Sequence, residues 1–149
     1  MIKILFVCHG NICRSPMAEF VMKDMVKKAG LADKFEIASA ATSTEAVGQS
    51  VYPPARKKLN EEGLSCSGKI SRQMTKDDYG YYDYIVAMDK INLRNMSRFV
   101  GNDPERKVSL LLDHTFYPRD VQDPWYTRDF QQTWDDICEG CEGLLKKLI

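Results

Sequence analysis

Residues 2–16 read IKILFVCHGNICRSP, and how that stretch is read decides the fold. Residues 2–7 are a β-rich apolar run that stops abruptly at Cys8-His9-Gly10-Asn11, the pattern of a buried strand entering a tight loop. Ser15-Pro16 has the chemistry of a helix start, with Ser15 at the cap and Pro16 at the first helical position. Met17, Phe20, Val21 and Met25 then follow on one helical face.

Between Cys8 and Arg14 lie five residues, His9, Gly10, Asn11, Ile12 and Cys13. Gly10 and Asn11 can both adopt positive φ. A loop curling that way turns successive backbone N–H groups toward one point and makes an anion nest. The helix that follows adds its positive N-terminal end. Arg14 adds a planar guanidinium able to grip two phosphate oxygens. Such surroundings favour a thiolate, so the sequence predicts Cys8 as a resting thiolate at the base of a dianion cradle formed by residues 8–15, placed for in-line attack on phosphorus. Ser15 has two readings here: a helix cap, or a hydroxyl that donates to the Cys8 sulfur and helps it leave. Asn11 reads as a residue that shapes the loop.

Working outward, residues 35–39 (FEIAS), 83–88 (DYIVAM) and 107–112 (KVSLLL) read as three further strands. A helix begins near Pro53-Pro54 and ends at Gly63, with Ala55 and Leu59 facing inward. In the final helix Phe130, Trp134, Ile137, Cys138, Cys141, Leu144, Leu145 and Leu148 fall on one stripe. Strands alternating with helices predict a single-domain α/β fold over residues 1–149, a four-stranded parallel sheet with helices on both faces. Ligands of such sheets bind beyond the carboxyl ends of the strands, which points to the loops after Val7, Ser39, Met88 and Leu112.

A phosphate ester also needs a proton for its leaving oxygen. Val121-Gln122-Asp123-Pro124-Trp125-Tyr126 offers a carboxylic acid in that role, with a usual gain of about 100- to 10,000-fold. Pro124 stiffens the chain beyond Asp123, and Trp125 and Tyr126 can wall a slot for an aromatic ring.

Taken together, the two segments resemble the low-molecular-weight protein tyrosine phosphatase family: a Cys, five residues, Arg and Ser near the N-terminus, with Asp-Pro and two aromatics near the C-terminus. The resemblance runs along the whole chain through Ser39-Ala40-Ala41-Thr42, Val47-Gly48, Arg72-Gln73 and Ala87-Met88-Asp89. It implies Cys8 as nucleophile, Arg14 as phosphate clamp, and Asp123 as general acid and then as base for the hydrolytic water. It implies phosphotyrosine-containing proteins as substrates, inorganic phosphate as product, and neither cofactor nor metal. It also suggests a reversible disulfide between Cys13 and Cys8 that protects the nucleophile; the alternative for Cys13 is a small residue packed in a tight loop. Four positions depart from the family pattern. His9 replaces a small or aliphatic residue and belongs at the pocket rim, where it either alters pH dependence or is merely solvated. Glu45 replaces an aromatic of the substrate pocket wall, which is expected to disfavour acidic peptides. Lys69 stands near the place of a His that supports the phosphate loop, and Ala41 replaces a frequent Gly.

Composition bounds the rest. Lys plus Arg and Asp plus Glu are both 21, giving no basic excess for nucleic acid. No apolar run approaches the ~20 residues of a membrane span, and Met1 to Val7 is too short for a secretory signal. A cytoplasmic enzyme, monomer or weak dimer, without a membrane partner is expected. The five cysteines are an odd number and predict free thiols. Cys138 and Cys141 form a C-x-x-C with no second pair, so core packing is favoured over zinc. Cys66 has no evident role, and His114 reads as a loop residue. Three rivals remain. Arsenate reduction needs relay cysteines that the middle of the chain lacks. Phosphoarginine hydrolysis is associated with Thr at the Ile12 position. A non-catalytic phosphate-binding module would use neither Cys8 nor Asp123.

Overall fold

The computed structural model describes residues 1–149. Strands β1 (Ile2–Cys8), β2 (Phe35–Ala41), β3 (Tyr84–Ala87) and β4 (Val108–Leu110) form one parallel sheet of order β2-β1-β3-β4. Cys8 stands beside Ala41, and Val7 beside Ala87. The carboxyl ends of β2, β1 and β3 therefore finish together, at the crevice where the chain turns from one side of β1 to the other.

Side chains alternate across β1. Ile4, Phe6 and Cys8 enter one core, shared with Met17, Val21 and Met22 of helix α1 (Arg14–Lys28) and with Ile137, Cys141 and Leu144 of α6 (Phe130–Leu148). Leu5 and Val7 enter a smaller core on the other face with Met96 and Val100 of α4 (Lys90–Val100). Each large side chain fully buried in these layers is worth about 1.5–3 kcal/mol. The alternation puts the Cys8 sulfur on the α1 face, under the helix that follows the loop. Helix α6 comes close to the turn at Leu111–His114 because Gly140 and Gly143 face it: a Cβ on either would overlap Leu111 or the His114 carbonyl.

Several boundaries differ from the sequence reading. Helix α1 begins at Arg14, with Cys13 at its cap and no capping side chain, so Ser15 is not the cap and Pro16 is not the first helical residue. Strand β4 ends at Leu110 because Asp113 Oδ2 accepts from the Leu110 N–H at 2.9 Å and bends residues 111–114 into a 3-10 turn; His114 closes that turn. Helix α2 (Pro53–Glu61) matches the expected proline start. Besides the single helical turn at Pro124–Thr127, which the sequence reading took as loop, two helices were not anticipated, α3 (Lys76–Tyr81) and α4. In α3, Thr75 and Asp78 form a reciprocal cap. In α4, Asp89 Oδ1 accepts from Asn92 N at 2.7 Å, and Asn92 Oδ1 accepts from Met88 N and Asp89 N, each at 3.1 Å.

Candidate active site

The cradle follows from where the loop's carbonyls go. Cys8 O accepts from Thr42 N, His9 O from Ser43 N and its hydroxyl, Gly10 O from the Ser71 hydroxyl at 2.8 Å, and Ile12 O from Tyr52 N at 2.9 Å. Each of these carbonyls is tied outward. In a trans peptide the next N–H points the opposite way, so the N–H groups of His9, Gly10, Asn11 and Cys13 face the inside of the loop. Only Asn11 takes positive φ, at 58°. Gly10 does not, contrary to expectation; it lines the cleft, where a side chain would run into the space between Ile12 and Ala46.

The Cys8 sulfur is almost fully buried and accepts from the Asn11 N–H at 3.3 Å, with Ser15 Oγ 3.0 Å away. Neighbouring contacts suit Ser15 as the donor in that second bond. Asn11 Nδ2 donates to both Ser15 Oγ (2.8 Å) and Ser39 Oγ (2.9 Å), while its Oδ1 accepts from Arg72 N at 3.3 Å. Ser15, having accepted, turns its proton to the sulfur. Ser39 turns its own to Glu19 Oε1 at 2.5 Å. Glu19, itself buried, is held by Lys69 Nζ at 3.1 Å and Lys23 Nζ at 2.6 Å, and Lys69 also donates to Ser39 O at 3.0 Å. Burial pulls the Lys69 pKa down from its ordinary value, and Glu19 offsets part of that. One chain of polar contacts thus runs from Lys69 through Glu19, Ser39, Asn11 and Ser15 to the Cys8 sulfur.

Arg14 is 2% exposed. Its Nη1 donates to Asp89 Oδ2 at 2.7 Å and to Val121 O at 2.8 Å, and its Nη2 lies 3.4 Å from Asp123 Oδ2. Burial opposes the charge, but Cys8, Asp123 and Asp89 outweigh it and hold the Arg14 pKa above the ordinary arginine value. Asp89 is a positioning residue that the sequence reading left without a role: one oxygen caps α4 and the other fixes the guanidinium. The visible signal was Asp89-x-x-Asn92 directly after strand β3.

Asp123 caps the one-turn helix α5 (Pro124–Thr127), its Oδ1 accepting from Trp125 N at 3.0 Å. Its other oxygen faces Arg14 and a cleft of about 250 Å³. Trp125 and Tyr126 wall that cleft opposite Ile12, with Cys13 and Glu45 also on its sides. Tyr52, also missed, backs Trp125 at 4.8 Å between ring centres and receives a bond from Arg128 at 3.1 Å. His9 and Glu45 are joined at the rim, Nε2 to Oε2 at 2.9 Å.

All five cysteines are free. The Cys13 thiol is pushed up to about 12 by burial, then by Cys8 and Asp123. Burial raises the Cys138 thiol to about 11, and raises those of Cys141 and Cys66 as well. Cys138 and Cys141 pack against the α1 face of the core, and no three His, Cys, Asp or Glu side chains gather in a metal-holding group.

A family model described as low molecular weight phosphotyrosine protein phosphatase matches residues 3–149. The chain is 37% identical over 150 residues to the Bacillus subtilis low molecular weight protein-tyrosine-phosphatase YfkJ, covering 99% of this chain and 96% of that protein. The crystal structure of YfkJ superposes with a TM-score of 0.95 over 99% of this chain and 94% of the other. The chicken (Gallus gallus) low molecular weight phosphotyrosine protein phosphatase is 35% identical, covering 97% and 94% of the two chains. The crystal structure of DARP, a drosophila arginine phosphatase, is also similar, at 31% identity and a TM-score of 0.88 over 99% and 98%.

Proposed function

The chain belongs to the low molecular weight phosphotyrosine protein phosphatase family, and from that premise we propose that its residues 1–149 act as one phosphatase domain hydrolysing protein phosphotyrosine through a phospho-cysteine on Cys8. The observation that carries the assignment of residues is the meeting of three groups. Cys8 Sγ lies at the base of a loop in which the carbonyls of residues 8, 9, 10 and 12 turn outward, and Arg14 Nη2 and Asp123 Oδ2 face each other 3.4 Å apart at the same cleft.

The phosphate dianion fills the loop, with its oxygens on the inward N–H groups and on Arg14. Arg14 Nη2 then leaves Asp123 for the phosphate, which frees the carboxyl for the leaving oxygen. Cys8 attacks phosphorus, the S–P bond forms as the P–O bond to the phenol breaks, and protonated Asp123 gives its proton to the phenol oxygen. In the second half Asp123 takes a proton from water, which attacks the phospho-cysteine. The sulfur leaves as a thiolate stabilised by the Ser15 hydroxyl and the Asn11 N–H, and inorganic phosphate is released. Trp125 and Tyr126 line the slot for the tyrosine ring, and Ile12 supports an aromatic over a guanidinium substrate because its apolar side chain lines the cleft. Under peroxide, Cys8 forms a sulfenic acid on which the Cys13 thiol condenses with loss of water, giving a disulfide that reductant reverses. The enzyme works in the cytoplasm as a monomer or weak dimer; no helix is long and apolar enough to cross a membrane.

The test is phosphate release from phosphotyrosine and phosphoarginine peptides by the reduced parent and by Cys8→Ser. Turnover of phosphotyrosine, lost by more than about 10,000-fold in the variant, is expected. A parent that turns over phosphoarginine alone, or neither peptide, overturns the reading.

A further inference from the structure

A second cavity of about 370 Å³ adjoins the catalytic cleft, between α4 and the loop after β2. Its walls include Arg94, Arg98, Asn95, Ser43, Thr42 and His9, with neither an apolar side chain nor a carboxylate. Arg94 and Arg98 lie four residues apart on one helical face, where like charges repel. Both are exposed, and neither is held in a salt bridge. Arg98 donates only to the Thr42 carbonyl. Thr42, a wall residue, is buried, and its hydroxyl has no hydrogen-bond partner, an arrangement that costs free energy. His9 lines this cavity and the catalytic cleft alike, so the two are neighbours.

We propose that this cavity binds a second anionic side chain, carboxylate or phosphate, on the same peptide that presents phosphotyrosine to Cys8. The proposal rests on the phosphatase reading above. It also revises an expectation. Glu45 was expected to disfavour acidic peptides, but its carboxylate is engaged by His9 on the cleft side. The preference is directional. A third cavity, which shares His9 and Asn95 with this one, is lined by Asp89, Asp120 and Asp123, with Arg14 their one guanidinium. An anion is therefore favoured only toward Arg94 and Arg98, where guanidinium forks suit both carboxylate and phosphate.

The experiment compares kcat/KM on phosphotyrosine peptides that differ only in flanking residues (glutamine, glutamate, phosphoserine or lysine, on either side) for the parent, Arg94→Gln and Arg94→Glu. The parent is expected to prefer glutamate or phosphoserine over glutamine by about fivefold on one flank, chiefly through KM, as partly exposed charge pairs allow. A gain with phosphoserine alone narrows the anion to phosphate. The preference falls to about one in Arg94→Gln and turns toward lysine in Arg94→Glu. Equal kcat/KM on neutral and acidic peptides, or an acidic preference that survives Arg94→Glu, overturns the subsite while leaving the phosphatase reading intact. No turnover of any peptide by the parent overturns both.

Discussion

The loop at residues 8–15 and the segment at residues 123–128 meet at one cleft, but they are held in opposite ways. Apart from His9 at the rim and the half-buried Gly10 and Ile12, the loop is buried, and four of its carbonyls and the Asn11 side chain are tied to residues far along the chain. The second segment is one helical turn on the surface, with Trp125 48% and Tyr126 81% exposed. Its Asp123 side chain makes one bond to its own cap and one long contact to Arg14. Holding a dianion rewards groups fixed before it arrives, because no reorganisation is then needed during reaction. Delivering a proton to a departing phenol rewards a carboxyl that can follow the oxygen. The contrast between a locked loop and a loosely held acid is thus a division between two kinds of catalytic task.

The sharpest way to break that comparison is Asp123→Asn. Asparagine keeps an oxygen for the Trp125 N–H and is an equally good cap, so the fold should be untouched while the proton is lost. The expected outcome is a kcat about 100- to 10,000-fold lower on phosphotyrosine, with a denaturant midpoint unchanged. A large loss of stability would show that the segment is locked after all. Asn11→Ala is the counterpart in the loop. It puts a residue other than Gly or Asn at φ 58°, takes a donor from Ser15 and from Ser39, and leaves the Arg72 N–H without its partner. Stability is expected to fall by about 2–3 kcal/mol, read as a lower urea midpoint, together with kcat. Loss of activity with full stability would mean the network serves chemistry alone.

Much of this was legible in the sequence, and what was not has physical reasons. The strands stood out because β-rich apolar runs are short and bounded. Cys8, Arg14 and Asp123 stood out because their chemistry is concentrated in two short segments. Asp89 was hidden because its partner is 75 residues away, and no local pattern reveals a guanidinium's anchor. Tyr52 was hidden because nothing in the local pattern before Pro53-Pro54 shows that its ring supports Trp125, 73 residues further on. Helix α3 has six residues with Gly80 inside it, too short for periodicity to register. Helix α4 could have been found, since Leu93, Met96 and Val100 recur at helical spacing behind an Asp89–Asn92 cap. The Leu110–Leu112 run looked like continuing strand because hydrophobicity cannot show that Asp113 bends the backbone there.

The smallest effect tests whether the loosely held segment grips the substrate or only carries the acid. Trp125 leans on Tyr52, whose hydroxyl is bonded by Arg128 and whose ring stacks near Phe130 at 6.3 Å. These aromatics are what anchor the segment, so Trp125→Ala removes a cleft wall and part of the anchor together. An aromatic contact of this kind is worth about 0.5–1.5 kcal/mol, which is roughly two- to twelvefold in KM. If the ring only walls the slot, KM rises by that factor and kcat falls little. If kcat falls in step while KM is unchanged, Trp125 acts by aiming Asp123, and the segment is less free than its exposure implies. Tyr52→Phe separates the two: it keeps the ring behind Trp125 and removes the Arg128 bond. It should therefore leave KM near the parent value and lower kcat only if the anchoring of the segment governs proton delivery.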